Sequence, residues 1–314
     1  MCARCFKRTQ RNGDIQEMQI ITDLEYRLSA SAVTLGKFDG IHLGHRMLLD
    51  KILSRRDLLP VVFTFAQDSQ TGVLPAQQIY SQQEKDFILR QMGIAAEILF
   101  PFRETTRNMS SEQFLRDVLI RNIQARYICV GEDFRFGKDR QGDVRFLQER
   151  AKQYGYELEI LPKKEASDAV ISSSRIRSLL ERGEIHAVNE LLGDLYFIQG
   201  TVVHGQELGR RIGIPTANQI PDAGKLLPLF GVYATWVWIG DRKYKGVTNV
   251  GVKPTVGSYQ PNVETHLIDY EGDLYGQEIR VCFHDFLRGE QKFTDVHALA
   301  AQMERDKQRA ANLL

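Results

Sequence analysis

Short apolar runs alternate with amphipathic stretches through the first half of the chain. Strand-like runs fall at Ala32–Leu35, Leu59–Thr64, Glu97–Phe100, Arg126–Val130 and Glu157–Leu161. Apolar residues recur every three or four positions between them, which predicts helices over Leu43–Arg55, Gln82–Met92, Ser111–Arg121 and Val144–Gln153. This alternation favours βαβ units. The sequence therefore predicts an α/β domain over residues 18–186, with a Rossmann-like, mainly parallel sheet.

The pattern changes character in the second half of the chain. Runs of β-branched and aromatic residues, separated by Gly, Asp and Pro, fall at Gly200–Val203, Gly231–Trp238, Lys245–Val250, Val263–Asp269 and Gln277–Phe283. Regular short strands with tight turns predict a small antiparallel β-barrel over residues 187–314. The amphipathic run Thr294–Leu314 predicts a terminal helix that covers the barrel.

Length and composition support two domains in a reducing compartment. A chain of 314 residues exceeds what one core usually serves, and its net charge of +1 gives no argument for a nucleic-acid or membrane partner. No run of 18 or more apolar residues occurs. Four cysteines are too few for a disulfide framework, so we expect a cytoplasmic protein. Cys2 and Cys5 lack the other half of a zinc site. Residues 1–17 are polar and basic, and we expect a disordered extension, with Met18 as an alternative start.

The segment GKFDGIHLGH, residues 36–45, lies where a strand ends and a helix begins. Glycines in such a turn let the backbone approach an anion, and free N–H groups at the helix start face it. His42 and His45 are three residues apart, so both imidazoles should lie on one face of the first helical turn, with Gly44 leaving the gap between them clear. Such a pair can donate hydrogen bonds to phosphate oxygens. The alternative is a helix start that binds no ligand.

Two further polar segments of the first half are typical of phosphate sites. The glycine-rich loop VGEDFRFGKDRQG, residues 130–142, follows a strand, and its Phe134 and Phe136 are suited to walling a flat ring while Arg135 offers charge to phosphate. The segment ISSSRIR, residues 171–177, places hydroxyls and two arginines at a helix start, which suits a triphosphate. A solvated loop and a simple helix cap are the alternatives.

The second half carries its own glycine-rich segment, GTVVHGQELGRRIGIPTAN, at residues 200–218. It lacks the GxxxxGK[ST] pattern of a P-loop. The hydroxyl of Thr216 and the carboxamide of Asn218 are hard oxygen ligands, which suit Mg²⁺. The alternative is a proline turn before a polar strand.

From about Ile20 to the C-terminus, these segments resemble, in order, those of the prokaryotic bifunctional riboflavin kinase/FMN adenylyltransferases, the FAD synthetases. Residues 36–45 resemble the nucleotidyltransferase signature of that family, 131–137 its GxDFRFG segment and 171–177 its ISSTRIR. PTAN resembles its kinase signature, and NVGVKPT at 249–255, VETHLID at 263–269 and GDLYG at 272–276 resemble its NxGxRPT, ExH and GDLYG segments. The resemblance implies an adenylyltransferase domain followed by a riboflavin kinase barrel.

For the adenylyltransferase half, the resemblance implies that the FMN phosphate attacks the α-phosphorus of ATP, giving FAD and pyrophosphate. ATP is expected to contact Gly36, Phe38, Asp39, Gly40, His42, His45, Ser173, Arg175 and Arg177, with the two histidines as catalytic residues. FMN is expected to contact Asp133, Phe134, Arg135 and Phe136. The FMN phosphate is already ionised, so stabilisation of charge on the phosphates matters more than a strong base.

For the kinase half, the resemblance implies transfer of the γ-phosphate of MgATP to riboflavin, giving FMN. Glu264 inherits the role of catalytic base, which aligns the ribityl 5′-hydroxyl and takes its proton. ATP is expected to contact Gly205, Gly209, Arg210, Gly213, Thr216 and Asn218, with Thr216 and Asn218 also holding Mg²⁺. Riboflavin is expected to contact Asn249, Phe286 and Arg288. We expect a monomer or weak oligomer, with no membrane or nucleic-acid partner.

Three departures from the family pattern leave alternatives open. The segment TFAQDS, residues 64–69, stands where the family commonly has TFxPHP, Ser174 replaces a threonine, and Lys253 replaces an arginine. One alternative is a riboflavin kinase with a weakened or inactive adenylyltransferase half. The other is a flavin-binding protein without catalysis, which would bind flavin and consume no ATP.

Overall fold

The computed structural model of the chain describes residues 17–65, 77–101, 103–167, 169–205, 213–255 and 258–314. These residues form two compact units. The sheet unit comprises the described residues of 17–65 and 85–172, and the barrel unit comprises 77–84 and the described residues from 173 onward. The predictions for residues 1–16, including Cys2 and Cys5, for the TFAQDS loop from residue 66, and for Gly209 and Arg210 lie outside the described residues. The domain boundary at residues 186/187 stays a prediction.

The sheet unit contains a six-stranded parallel sheet in the order β1-β4-β3-β2-β5-β8. Its strands are β1 Gln19–Ile21, β2 Ser31–Leu35, β3 Leu59–Phe65, β4 Ala96–Phe100, β5 Ala125–Gly131 and β8 Glu157–Leu161. Two small antiparallel pairs follow, β6 Arg135–Phe136 with β7 Gly142–Asp143, and β9 Glu165–Ala166 with β10 Ala169–Val170. The helices of this half are α1 Leu43–Ser54, α2 Gln82–Met92, α3 Glu104–Arg107, α4 Ser111–Gln113 and α5 Val144–Tyr154. The predicted parallel sheet is confirmed.

Strand β2 lies in the middle of the sheet and carries the first motif at its carboxyl end. It pairs in parallel with β3 on one side and with β5 on the other. Val33, Val61 and Ile128 on these strands have no exposed surface. Apolar runs that are buried on both faces are typical of a parallel sheet between helices. The segments after Leu35 and after Gly131 therefore leave the same edge of the sheet.

The helix predicted over Ser111–Arg121 is present but does not keep α-helical winding. It starts with a capping box, in which Gln113 N donates to Ser110 Oγ at 3.2 Å and Ser110 N donates to Gln113 Oε1 at 3.0 Å. After α4, residues Phe114–Asn122 form a π-helix. Apolar spacing alone does not distinguish the two windings over so few turns.

The barrel unit contains six antiparallel strands in the order β11-β16-β13-β14-β15-β12. They are β11 Phe197–Thr201, β12 Ala217–Gln219, β13 Gly231–Ile239, β14 Arg242–Thr255, β15 Ser258–Leu267 and β16 Glu278–Gly289. Val203 N donates to Asn218 O at 2.8 Å and links the two outermost strands. This bond nearly closes the sheet on itself, as the predicted small barrel requires.

Among the described residues of the barrel unit are the helices α6 Ser173–Glu181, α7 Ile185–Leu192 and α8 Val296–Leu313. Asp295 caps α8 by accepting from Ala298 N at 2.8 Å. Ala310 of α8 packs in one cluster with Val232 and Leu287 of the barrel strands. The terminal helix therefore covers part of the barrel, as the sequence predicts.

A buried ion pair holds residues 77–84 within the barrel unit. Lys225 Nζ donates to Glu84 Oε2 at 2.5 Å and to Phe197 O at 2.9 Å. The Lys225 and Glu84 side chains are 1% and 2% exposed. Gln78 N donates to Gly224 O at 2.8 Å beside this pair.

None of the helices in the described ranges combines the length and apolarity that crossing a membrane requires.

Candidate active sites

The two histidines of the first motif stack on each other at the start of α1. Their ring centroids lie 3.7 Å apart and their planes meet at 15°. His45 N donates to His42 Nδ1 at 3.3 Å, so His42 caps the helix. Because Nδ1 accepts, a neutral His42 carries its proton on Nε2. The predicted placement of both rings on one face of the first turn is confirmed.

Burial keeps both imidazoles neutral. It lowers the pKa of His42 to about 4. Burial, together with the neighbouring His42, lowers the pKa of His45 well below its usual value. His45 Nδ1 is buried, and no described residue bonds to it. Neutral imidazoles can each donate one N–H, which suits the binding of phosphate oxygens by position rather than by charge. A buried polar nitrogen without a partner also fits a site that awaits a ligand.

The turn between β2 and α1 has a strained backbone. Phe38 and Ile41 have φ of +47° and +42°, and Gly40 has +88°. Positive φ at non-glycine residues costs on the order of 1–3 kcal/mol and persists where the surroundings enforce it. Phe38 and Ile41 are buried, and the Phe38 ring lies 5.1 Å from the His45 ring. The buried Phe38 side chain thus packs beneath the turn and stabilises its conformation.

Two other residues of this motif, Asp39 and Gly44, lie close to side chains of the sheet unit. Asp39 is buried, and its charge favours the charged form of Lys85, opposing the burial that lowers the pKa of that lysine. Gly44 lies against the capping histidine, since a Cβ there would be 3.2 Å from His42 Cε1 and Nδ1. A side chain at position 44 would therefore crowd the His42 ring.

The loop after β5 leaves the same sheet edge as the histidine turn. Asp133 pairs with Lys163 at 3.0 Å, and Arg135 lies 3.5 Å from Asp143. The Phe134 and Phe136 rings stack at 5.5 Å and 15°. Phe136 is 3% exposed and belongs to the sheet-unit core, because the Phe114 ring packs on it at 5.5 Å. Phe134 is the half-buried ring of the pair, so it alone keeps surface for a flavin.

The third phosphate motif begins α6, in the barrel unit. Ser173 is the first residue of the helix, and Arg175 and Arg177 follow within two turns, both half-buried. Arg177 Nε donates to Gln77 O at 3.2 Å. The expected contacts of Ser173, Arg175 and Arg177 with ATP stay predictions.

Predicted kinase residues form one row across the barrel. Glu264 of β15 pairs with Asn218 of β12 on one side and with Asn249 of β14 on the other. The row continues from Asn249 to Val232 of β13, and from Val232 to Arg288 of β16. Residues opposite each other on neighbouring strands lie close together. The barrel therefore brings together residues that lie far apart in the sequence.

Two cavities open along this row and share one residue. The first has a volume of about 270 Å³, and Asn249, Glu264 and Arg288 line it. The second has a volume of about 560 Å³, and Gly205 and Asn218 line it. Thr216 lines both cavities. Both cavities therefore border Thr216.

Glycine is required where the loop after β11 approaches PTAN. A Cβ on Gly205 would lie 2.6 Å from Asn218 Nδ2, closer than real Cβ contacts come. Gly213 has φ of +77°, a conformation that favours glycine. Both glycines belong to the predicted phosphate loop. Gly205 lets the chain pass directly over the Asn218 carboxamide.

Two expected flavin contacts have other packing in the structure. The Arg288 guanidinium binds the carboxylate of buried Asp306 on α8, with Nη2 to Oδ2 at 2.8 Å and Nε to Oδ2 at 3.0 Å. Arg288 nevertheless lines the first cavity. Phe286 lies outside that lining, because its ring packs on Tyr233 at 5.1 Å. The roles of both residues stay predictions.

Thr216 and Asn218 fit a Mg²⁺ ion that is shared with phosphate oxygens. They offer a hydroxyl and a carboxamide oxygen, which are hard but uncharged ligands. Within the described residues, no group of three or more His, Cys, Asp or Glu could hold a metal ion. This donor set fits an ion that arrives with a nucleotide better than a resident ion.

Sequence reasoning assigned no role to three polar residues of this site, although the ExH resemblance includes His266. Asn262 and His266 flank Glu264 on β15, and Asp306 lies on α8. Side chains two residues apart on a strand share a face, so the alternation around Glu264 was the signal for the first two. Asp306 gave no such signal, because a single acidic residue on an amphipathic helix usually faces solvent.

Family comparison covers nearly the whole chain. A family model described as FAD synthetase matches residues 25–175, and one described as riboflavin kinase matches residues 192–314. A bifunctional riboflavin kinase/FMN adenylyltransferase from Escherichia coli K12 is 35% identical over 283 residues, covering 88% of this chain and 90% of that protein. One of the same name from Bacillus subtilis is 33% identical, with coverage of 89% and 91%.

Structural comparison agrees over the same length. A crystal structure described as a macrolide-efflux protein from Streptococcus pneumoniae matches with a TM-score of 0.81 and 30% identity, covering 94% of this chain and 99% of that one. The two family models, the curated relatives and the geometry of both units agree. The chain belongs to the bifunctional riboflavin kinase/FMN adenylyltransferase family.

Proposed function

We propose that the chain makes FMN from riboflavin and FAD from FMN, the two activities that the names of its relatives give. One observation carries the kinase assignment. Thr216 lines both the cavity that contains Glu264 and the cavity that contains Asn218. A hydroxyl held beside Glu264 in the first cavity would thus face a phosphate held in the second.

In the kinase reaction, riboflavin occupies the first cavity and the ATP phosphates occupy the second. Glu264 accepts the proton of the ribityl 5′-hydroxyl as its oxygen bonds to the γ-phosphorus. The bond from the γ-phosphorus to the bridging oxygen breaks, and ADP leaves. Gly205, Gly213, Thr216 and Asn218 hold the phosphates in line. Thr216 and Asn218 would also hold Mg²⁺, which neutralises phosphate charge when it is bound.

In the adenylyltransferase reaction, a phosphate oxygen of FMN attacks the α-phosphorus of ATP, and pyrophosphate leaves. The strained turn at residues 36–41 lets backbone N–H groups approach the phosphates. His42 and His45 donate hydrogen bonds to oxygens on which negative charge builds. Both rings are neutral, so they donate these bonds over the whole physiological pH range. Asp133, Phe134 and Arg135 of the neighbouring loop are assigned to FMN.

A pair of variants tests the assignment of separate residues to the two reactions. His42→Ala combined with His45→Ala should abolish FAD formation from FMN and spare FMN formation. Glu264→Gln should lower kcat for riboflavin phosphorylation by about 10²–10⁴-fold and spare FAD formation from FMN. Chromatography of flavins after incubation with MgATP measures both reactions. The spared reaction reports the folding of the unchanged unit, and the unfolding midpoint of each variant reports the folding of the changed one.

Other outcomes would change the proposal in defined ways. If the wild-type chain forms FMN but no FAD, it is a riboflavin kinase with an inactive adenylyltransferase half. If it binds flavin and leaves ATP unchanged, it is a flavin-binding protein. If either variant stops both reactions while it remains folded, the two reactions do not use separate residues.

A further inference from the structure

Strand β15 presents three polar side chains on one face, at alternate positions. Asn262 precedes Glu264 by two residues, and His266 follows it by two. Asn262 is buried, and His266 is half-buried at the wall of the first cavity. Neither residue has a role in the reactions as described so far. Each bonds to the segment from Pro215 to Asn218, which carries the phosphate-binding oxygens.

Asn262 joins the base to the carboxamide opposite it. Its Nδ2 donates to Glu264 Oε1 at 3.0 Å and to Asn218 Oδ1 at 3.3 Å. A side-chain amide has two N–H hydrogens, so it can serve both acceptors at once. The bond to Glu264 fixes one carboxylate oxygen, and the bond to Asn218 fixes the orientation of the carboxamide.

His266 holds the other end of the same segment. Its Nδ1 lies 2.8 Å from Pro215 O. A carbonyl oxygen only accepts, so Nδ1 carries the hydrogen. Burial lowers the pKa of His266, which keeps the ring neutral with this tautomer. The segment from Pro215 to Asn218 is therefore hydrogen-bonded to β15 on both sides of Glu264.

We propose that Asn262 and His266 are positioning residues for phosphoryl transfer, which fix the separation between Glu264 and the phosphate-binding oxygens of Thr216 and Asn218. The inference rests on the proposed function, because it takes Glu264 as the base and PTAN as the phosphate holder. Neither residue is assigned a bond to a reacting atom. Partners that orient a ligand of this kind typically change activity by about 10–100-fold when they are removed.

Asn262 variants separate the hydrogen bonds from packing. Asn262→Ala should lower kcat for riboflavin phosphorylation by about 10–100-fold and raise KM for MgATP, while KM for riboflavin stays unchanged. Asn262→Asp fills the same volume but cannot donate when ionised, and it places a negative charge beside Glu264. It should therefore be at least as impaired as the alanine variant. A packing role predicts the opposite order.

His266 variants test the second attachment. Asn presents an amide N–H close to where the imidazole presents Nδ1–H, so His266→Asn should retain most of the kcat. His266→Phe keeps a ring but removes the donor, and it should lower kcat by about tenfold or more. Equal activity of the asparagine and phenylalanine variants would overturn the role of His266.

Controls keep the inference separate from the proposed function. Arg242→Gln, at the exposed end of β14 that pairs with Ile239 and lies seven residues from Asn249, should leave kcat unchanged. FAD formation from FMN and the unfolding midpoint report folding for every variant. If Asn262→Ala does not fold, Asn262→Ser keeps one donor and should give an intermediate kcat. Full kinase activity of a folded Asn262 variant, with Glu264→Gln inactive, would overturn the inference alone. Full activity of Glu264→Gln would overturn the proposed function.

Discussion

At the scale of single residues, both proposed sites contain side chains whose donor and acceptor roles are fixed by their hydrogen-bond partners. The bond from His45 N makes His42 Nδ1 an acceptor, and burial keeps the ring neutral, so Nε2–H is the group offered to a ligand. In the barrel, Asn262 fixes one oxygen of Glu264. Fixed donors and acceptors cost no reorganisation when charge develops, which is the main source of stabilisation in such sites.

The lowered pKa of His42 predicts how the stability of the sheet unit depends on pH. The unfolded chain protonates this residue near pH 6.5, whereas the folded chain protonates it near pH 4. Between these values the unfolded state binds more protons, so the free energy of unfolding falls as pH falls. The loss from this residue should be about 3 kcal/mol across the window, and it should be absent above pH 7.

Substitution measures this contribution. His42→Asn removes the titrating group but keeps a helix-capping side chain. Urea unfolding at several pH values should then show a flatter decline between pH 6.5 and 4. His297→Asn, at an exposed position of α8, should leave the decline unchanged. An unaltered decline in the His42 variant would contradict the burial effect.

Gly205 gives a residue-scale prediction for the kinase site. In Gly205→Ala the new Cβ would meet Asn218 Nδ2 at 2.6 Å and Oδ1 at 2.8 Å, so the carboxamide has to move. Displacement of a group that positions phosphate should reduce kcat/KM for MgATP on the order of tenfold to a hundredfold. Steady-state kinetics with saturating riboflavin measures it.

Gly224→Ala is the matched control, because no atom lies within 4 Å of a Cβ built there. Its kcat/KM for MgATP should equal that of the wild-type chain. Equal values for both alanine variants would show that the loop tolerates a side chain over Asn218.

At the scale of elements, the pattern of apolar residues identified most strands and helices. It failed for strands whose buried residues are polar and for strands too short to show a period. The strand β12 carries Asn218 and Gln219, which are polar and yet buried, and Gln219 Nε2 donates to Gly200 O and to Ile279 O. The strand β1 has only three residues and no buried ones, so it gives no periodic signal. The motifs found the catalytic candidates, but their row across the barrel depends on strand register, which sequence spacing does not contain.

The pair Glu84–Lys225 is a further element-scale feature that no local pattern predicts, because its residues are 141 positions apart. Lys225→Met would leave a buried carboxylate without its cation. The free energy of unfolding of the barrel unit should fall by about 3–5 kcal/mol. Denaturant unfolding that is monitored by the loss of kinase activity measures this change in free energy.

A double-mutant cycle isolates the interaction between the two side chains. Adding Glu84→Gln to Lys225→Met should recover much of the lost stability, because the unpaired charge is removed. Lys292→Met, at an exposed position, is the control for loss of a lysine and should change stability by less than about 0.5 kcal/mol. Failure of the double variant to recover would mean that the packing of Lys225, not its charge, matters.

At the scale of the whole molecule, the two units are proposed to bind phosphate by different means. The sheet unit uses a strained turn, a helix start and two neutral imidazoles. The barrel unit uses a glycine loop and two uncharged oxygens opposite a carboxylate. Neither has the P-loop sequence pattern, and the phosphate-site candidates came from other segments, GKFDGIHLGH and PTAN.

The uncharged donor set predicts how the protein responds to metal. Mg²⁺ without nucleotide should not raise the thermal midpoint, because Thr216 and Asn218 alone compensate poorly for its lost hydration. MgATP should raise the midpoint by mass action. The same ATP with a chelator is the control and should give a smaller rise. A full rise with Mg²⁺ alone would contradict a metal shared with phosphate.

The short strand that completes the barrel also carries a group assigned to the nucleotide. Asn218 accepts the bond from Val203 through its backbone oxygen, and its side chain lines the larger cavity. Local separation of the three-residue strand β12 would displace Asn218 while the long strands β13–β16 stay paired. We therefore expect the temperature at which kinase activity is lost to depend on the short pairing of β12 rather than on the barrel core.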